Sequence, residues 1–189
     1  MMNSLERALI DLADILSDNN VPYMIIGGMA NAVWGEPRST IDIDATIWLE
    51  EENIDRIIPL MSALFHPLVQ DYSRFVRDTN VLPLESRDGV RVDLIFGRLP
   101  YEYDAIQRAV VVDIEGVAVR FCTPEDLILH KIISDRQKDI NDAHGVAVRR
   151  MKSLDLAYLE PRIRELSNTM EKSEIWESWQ QWKKSLEKI

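Results

Sequence analysis

The chain has 189 residues, 46% of them hydrophobic and 29% charged, with a formal net charge of −10 and one cysteine. That size and mixture predict one domain, or one domain with an appendage, with enough apolar residues to fill a core. The acidity argues against the broad basic face that long nucleic acid needs, and the lone Cys122 excludes an internal disulfide. No apolar stretch reaches the length of a membrane span and residues 1–6 are not a signal peptide, so the expectation is a cytoplasmic protein.

Leu5, Leu9, Leu12, Ile15 and Leu16 recur at helical spacing, so residues 3–18 read as an amphipathic helix, capped by Asn3 or Ser4 and broken by Asn19-Asn20. Residues 21–26 form a short apolar strand that runs into Gly27-Gly28. A short helix follows over residues 29–34 and ends at Gly35-Glu36-Pro37. A second strand covers 41–49. The next helix covers 51–65, with Ile54, Ile57, Ile58, Met61 and Leu64 on one side, and a less regular stretch runs from His66 to Asp88. A third strand covers 89–97, and residues 110–114 and 117–121 flank Glu115-Gly116 as a hairpin. Cys122 ends an apolar run and reads as a small buried hydrophobe. Thr123 caps, and Pro124 opens, a remainder that is helical throughout, with breaks near Gly145, Ser153, Pro161 and Ser167-Asn168. The expected fold class is α+β: a small mixed β-sheet flanked by helices over residues 1–122, then a helical C-terminal region over 123–189 packed on that core.

Asp42 and Asp44 carry most of the functional signal. They alternate with Ile41, Ile43 and Ala45, and in a strand residues i and i+2 share a face, their Cα atoms roughly 6–7 Å apart. Two short carboxylates so placed can converge on one hard divalent cation, Mg²⁺ or Mn²⁺, or bridge a pair. The plainer reading is a half-buried strand with a wet polar face. Asp is depleted in strands, however, and like charges on one face repel, which favours a ligand. The strand–glycine–glycine–helix passage before them suits close backbone approach to an anion such as phosphate. A third aspartate, Asp93, sits mid-strand among apolar neighbours. Three carboxylates, a metal pair and a phosphate cradle make a phosphoryl- or nucleotidyl-transfer site.

Gly27-Gly28, Arg38-Ser39-Thr40-Ile41-Asp42-Ile43-Asp44 and Val92-Asp93-Leu94 together resemble the signature of DNA-polymerase-β-type nucleotidyltransferases. Within that superfamily the nearest resemblance is to the abortive-infection toxins of AbiEii type, through Pro124-Glu125-Asp126-Leu127, Lys131 and Lys138-Asp139-Ile140-Asn141-Asp142. The resemblance spans about residues 20–160 and implies a nucleotidyltransferase fold. It implies Asp42 and Asp44 as ligands of two Mg²⁺ ions, and Asp93 as ligand of the second ion and activator of the acceptor hydroxyl. Gly27 and Gly28 would hold the triphosphate of an NTP, with Arg38, Ser39 or Thr40 nearby. Where many members have Gly-Ser, this chain has Gly28, so one serine contact to phosphate is missing.

Lys131, Asp135, Lys138, Asp139 and Asp142 fall on one polar arc of a continuous helix, which by itself reads as a solvated face laced with ion pairs. The resemblance instead places Lys131 near the nucleotide phosphates, with Asp139 shaping the site. Further on, Ile175, Trp179, Trp182, Leu186 and Ile189 form a heptad-like seam. It docks the last helix on its own domain or serves self-association or an antitoxin partner through Trp179, Trp182 and Leu186. The expected activity is metal-dependent transfer of an NMP from an NTP to an acceptor hydroxyl of a small molecule, protein or tRNA. The resemblance adds the expectation that this enzyme is the toxin of a toxin–antitoxin pair, and the alternative is a non-catalytic nucleotide- or partner-binding module of the same fold.

Overall fold

The structure, a computed structural model, describes residues 2–50 and 53–186. Within these the chain divides into two compact units. The first comprises Met1–Met29 and Ser39–Cys122, and the second Ala30–Arg38 and Thr123–Ile189.

The first unit is built on one mixed sheet of seven strands among the described residues. These are β1 (Tyr23–Ile26), β2 (Asp42–Ile47), β3 (Phe65–Pro67), β4 (Val81–Ser86), β5 (Arg91–Phe96), β6 (Val110–Ile114) and β7 (Val117–Phe121). Their order across the sheet is β3-β4-β5-β2-β1-β7-β6. The fold is therefore α+β, as the sequence predicts. Helix α1 (Ser4–Asp18) packs against β2 and β7. Its start is closed by a reciprocal pair, the Asn3 side chain accepting from the Glu6 amide while the Glu6 carboxylate accepts from the Asn3 amide. Glu115 and Gly116 both take positive φ (51° and 86°), the geometry of a tight two-residue hairpin turn between β6 and β7.

Two stretches differ from expectation. The helix expected over 51–65 is α3 (Ile54–Met61), with Leu64 beyond its end and Phe65 opening β3; residues 51 and 52 lie outside the described residues. The stretch expected to be irregular instead holds β3, α4 (Tyr72–Thr79) and β4. β3 and α4 are too short for a periodic signal, and Pro83 inside β4 reads as a strand breaker. Proline is tolerated there because the Pro83 carbonyl, which accepts from the Leu68 amide, faces the end of the three-residue β3. The missing N–H thus points where β3 has run out. A further helix, α5 (Pro100–Arg108), lacks a strong apolar stripe but packs on β1 and β2.

The second unit contains most of α2 (Gly27–Trp34), which starts in the first unit, together with α6 (Pro124–Ile132), α7 (Gln137–Arg150), α8 (Leu156–Thr169) and α9 (Ser173–Leu186). Thr123 caps α6, accepting from the Asp126 amide, with Pro124 at its first turn. The run from Lys131 to Asp142 is not one helix: α6 ends before α7 begins, and the turn between them carries Ser134 and Arg136. Gly145 and Pro161 do not break their helices. Gly145 packs closely, since a Cβ there would sit 3.3 Å from Glu36 Cγ. Along α9, Ile175 and Trp179 are buried within their own unit; Trp179 donates to Glu160, and Trp182 packs its ring on His144 at 5.1 Å. Ile189 of the expected seam lies outside the described residues. No helix of the described residues is long and apolar enough to cross a membrane.

Candidate active site

Strand β2 alternates half-buried Asp42 and Asp44 with Ile43 and Ala45, both fully buried, and β5 alternates Asp93 with buried Val92 and Leu94. The three carboxylates therefore share the face opposite the packed one. β2 and β5 are adjacent and parallel, with Asp44 directly beside Asp93 and Asp42 beside Arg91. Neighbouring strands lie about 4.8 Å apart, so the aspartate backbones are within bridging reach of one cation or a pair.

The double glycine is explained by its neighbours. Gly27 takes φ +64°, and a Cβ there would stand 1.9 Å from Asp44 Oδ2. A Cβ on Gly28 would stand 2.4 Å from Thr40 Oγ1, the hydroxyl that donates to Asp42 Oδ1 at 2.7 Å. The glycines thus make room for the Asp44 carboxylate and for the threonine that orients Asp42. They also open α2, whose first-turn amides have no acceptors within the helix.

Asp93 is turned elsewhere. Both its oxygens accept from Arg91 Nε, at 3.1 and 3.2 Å, and Arg91 Nη2 lies 3.1 Å from Oδ1. Accordingly, no three acidic, histidine or cysteine side chains are gathered into a metal-binding group among the described residues. The donor chemistry and backbone register still fit Mg²⁺ or Mn²⁺: hard carboxylate oxygens on one face, with Gly27 leaving the space Asp44 needs.

In the second unit the structure brings together Arg38, Lys131 and Asp139, and adds Asp142. Lys131 Nζ donates to Asp139 Oδ1 at 2.9 Å and to Asp142 Oδ2 at 2.8 Å, all three side chains being nearly buried. Arg38 grips Asp142 with two nitrogens, Nε at 3.0 and 3.2 Å and Nη2 at 2.8 Å. Ser134 and Arg136 complete Asp139, at 2.9 and 2.6 Å. Burial by itself would raise both carboxyls, but the hydrogen bonds from Lys131, Ser134 and Arg136 hold Asp139 below the ordinary aspartate range, and those from Arg38 and Lys131 do the same for Asp142. The polar arc is thus a buried network of three cations and two carboxylates rather than a solvated face. Ser39, next to Arg38 in the chain, is exposed. A groove lined by Leu156, Pro161, Arg164 and Trp176 holds none of these residues.

Sequence reasoning left two participants out of the site. Asp142 lies on the same polar arc as Lys131, and Arg91 lies two residues before Asp93, hence on its face in a strand. The strand period was available in the sequence, whereas the arc that grouped Asp142 with Lys131 assumed one helix where there are two.

The fold is similar to an antigenic nucleotidyltransferase-like protein from Paracoccidioides brasiliensis, at 18% identity and TM-score 0.56, with 92% of each chain covered. It is similar to ANT(2")-Ia in complex with adenylyl-2"-tobramycin, at 17% identity and TM-score 0.61, covering 89% of this chain and 99% of that one. It is also similar to the lincosamide antibiotic adenylyltransferase LnuA bound to lincomycin, at 13% identity and TM-score 0.53, covering 77% of this chain and 96% of that one. At such identities the likeness is one of fold. No curated protein sequence matches the chain. A family model matches it over residues 3–188, and with strand, glycines and carboxylates in this arrangement the chain belongs to the family described as "Nucleotidyltransferase of unknown function (DUF6036)".

Proposed function

We propose that this nucleotidyltransferase moves a nucleoside monophosphate from an NTP to an acceptor hydroxyl and releases pyrophosphate, using divalent cations held by Asp42, Asp44 and Asp93. The observation that carries this reading is the register of β2 and β5, which sets the three carboxylates on one sheet face beside the glycine-opened start of α2. The cations, Mg²⁺ or Mn²⁺ and in a pair, supply charge neutralisation for the triphosphate and the departing pyrophosphate. The residues do the rest. The α2 amides at Gly27 and Gly28 bind phosphate oxygens, and Thr40 fixes the rotamer of Asp42. Asp93 accepts the proton of the acceptor hydroxyl as its oxygen bonds to the α-phosphorus and the α–β phosphoanhydride breaks. Lys131 and Arg38 serve the nucleotide phosphates, supported by the excess of three cations over two carboxylates in their network, and Asp139 shapes the site by holding Lys131. In this reading residues 1–122 are the catalytic core and 123–189 the helical region.

Acceptor trials start with small-molecule hydroxyls, the class seen in the adenylyl-2"-tobramycin complex, then protein hydroxyls and tRNA ends. The Arg38–Asp44 string and Lys131 support kinship with AbiEii-type toxins, and with it a cytoplasmic toxin whose antitoxin meets the last helix around Trp182 and Leu186. Growth arrest on induction that vanishes with Asp42→Ala would bear this out; equal arrest by that variant would end it. The test of the chemistry is pyrophosphate release from each of the four NTPs with Mg²⁺ or Mn²⁺, wild type beside Asp42→Ala, with candidate acceptors and cell extract added. Release that depends on Asp42 is expected. A second reading, a non-catalytic binding module, draws on the Arg91–Asp93 pair, which keeps the third carboxylate occupied. Nucleotide binding without release under any condition would favour it.

A further inference from the structure

Arg91 stands in a cross-strand row of charge on the carboxylate face. Asp42 is its register partner on β2 and Glu85 its partner on β4, while Glu85 is in turn paired across to His66 on β3, with His66 Nε2 3.2 Å from its carboxylate. Directly opposite residues on one face have Cβ atoms about 4.5–5.5 Å apart. The Arg91 guanidinium therefore has three carboxylates within reach. It takes Asp93, two residues along its own strand, with more than half of its side chain exposed to solvent.

We propose that Arg91 is a switch on the third carboxylate: a built-in counter-ion that holds Asp93 until a divalent cation displaces it, and that then moves to Glu85. This rests on the carboxylate-site reading above and adds its regulation. The exchange leaves neither charge without a partner. Asp93 trades an internal cation for an external one, and Arg91 is not stranded, because Glu85 lies opposite it on the side away from β2. A solvent-facing arginine–carboxylate pair is weak enough for a divalent ion to break and strong enough to lower its affinity measurably. Asp93 also becomes available as proton acceptor only after Arg91 has let go, so metal loading and base activation are a single event.

The test is Mn²⁺ binding to the full chain, followed by the paramagnetic resonance of free Mn²⁺, with no nucleotide present. Arg91→Gln is expected to bind Mn²⁺ about two- to fivefold more tightly than wild type, with Arg91→Lys between them. Glu85→Gln is expected to weaken binding in the wild-type background by more than it does in Arg91→Gln, since only Arg91 needs Glu85 as its alternative seat. Unchanged or weaker binding in Arg91→Gln, in a variant whose circular dichroism and melting match wild type, overturns the proposal. Equal effects of Glu85→Gln in both backgrounds overturn the movement to Glu85. If Asp42→Asn and Asp44→Asn leave wild-type Mn²⁺ binding untouched, the carboxylate-site reading itself fails and the switch falls with it. Metal binding that needs Asp42 and Asp44 but ignores Arg91 refutes the switch alone.

Discussion

The two units keep their acidic residues in opposite circumstances. In the first, Asp42, Asp44 and Asp93 lie half-exposed on a strand face, and the cation bound to Asp93 is a solvent-facing arginine. In the second, Asp139 and Asp142 are nearly buried and saturated by Lys131, Arg38, Arg136 and Ser134. A buried charge costs several kcal/mol unless its partners are complete, so the second set must be closed to exist at all. A half-exposed charge carries no such demand and can stay open to a cation from solution. Burial, and the demand for complete partners that comes with it, separates the two sets of carboxylates.

The sharpest way to break this comparison is to remove one charge from each set. Asp44→Asn is expected to lower pyrophosphate release at least 100-fold while shifting the melting temperature little, because the side chain is only half buried. Lys131→Met is expected to differ in kind, costing stability as well as phosphate binding. It strips a shared cation from two buried carboxylates and should cost about 3 kcal/mol in denaturant unfolding. If Asp44→Asn unfolds the protein, or Lys131→Met leaves its stability intact, the distinction between the two sets is wrong.

Acid separates them further. The folded-state carboxyls of Asp139 and Asp142 are held below the ordinary aspartate value of about 3.9, so the folded form releases their protons more readily than the unfolded chain does. Their contribution is full above that value and is lost as pH falls through it and then through the lowered folded values. Unfolding free energy measured from pH 6 to pH 2.5 should therefore drop below about pH 4, and Asp142→Asn should flatten that drop. A slope unchanged in Asp142→Asn would mean that other groups carry the acid sensitivity.

The sequence made the first set legible and half of the second. Period-2 alternation in β2 and β5 is enough to set Asp42, Asp44 and Asp93 on one face, and the glycines mark the turn before α2. What the spacing does not reveal is why those glycines are there, since the side chains they accommodate, Asp44 and Thr40, arrive from 17 and 12 residues further along the chain. Helical periodicity grouped Lys131, Asp139 and Asp142 correctly by polarity but assumed one helix. The break at Ser134–Arg136 folds α7 back on α6, turning a polar arc that would face water into a buried network. β3, with three residues, and α4, with eight, escaped because each is shorter than its own periodic signal, and β4 escaped because Pro83 argued against a strand whose position in the sheet excuses it.

The smallest expected effect tests whether the strand face of the first unit is disturbed beyond its aspartates. Thr46 lies two residues past Asp44, hence on the same face, yet it is 1% exposed, and its Oγ1 finds no hydrogen-bond partner among the described residues. Its register neighbours are Met24 and Ile95, which offer it only apolar side chains. A buried hydroxyl without a bond costs roughly 1–3 kcal/mol, and valine has nearly the same shape. Thr46→Val should therefore raise the unfolding free energy by about 1 kcal/mol and leave pyrophosphate release unchanged. Asn31 in the second unit is the contrasting case. It is fully buried with an unpartnered Oδ1, but its Nδ2 donates to the Glu36 carbonyl at 2.9 Å, so Asn31→Leu should destabilise. A Thr46→Val variant that is less stable, or that loses activity, would show that the hydroxyl serves the carboxylate face, and the working surface of β2 would then extend from Asp42 to Thr46.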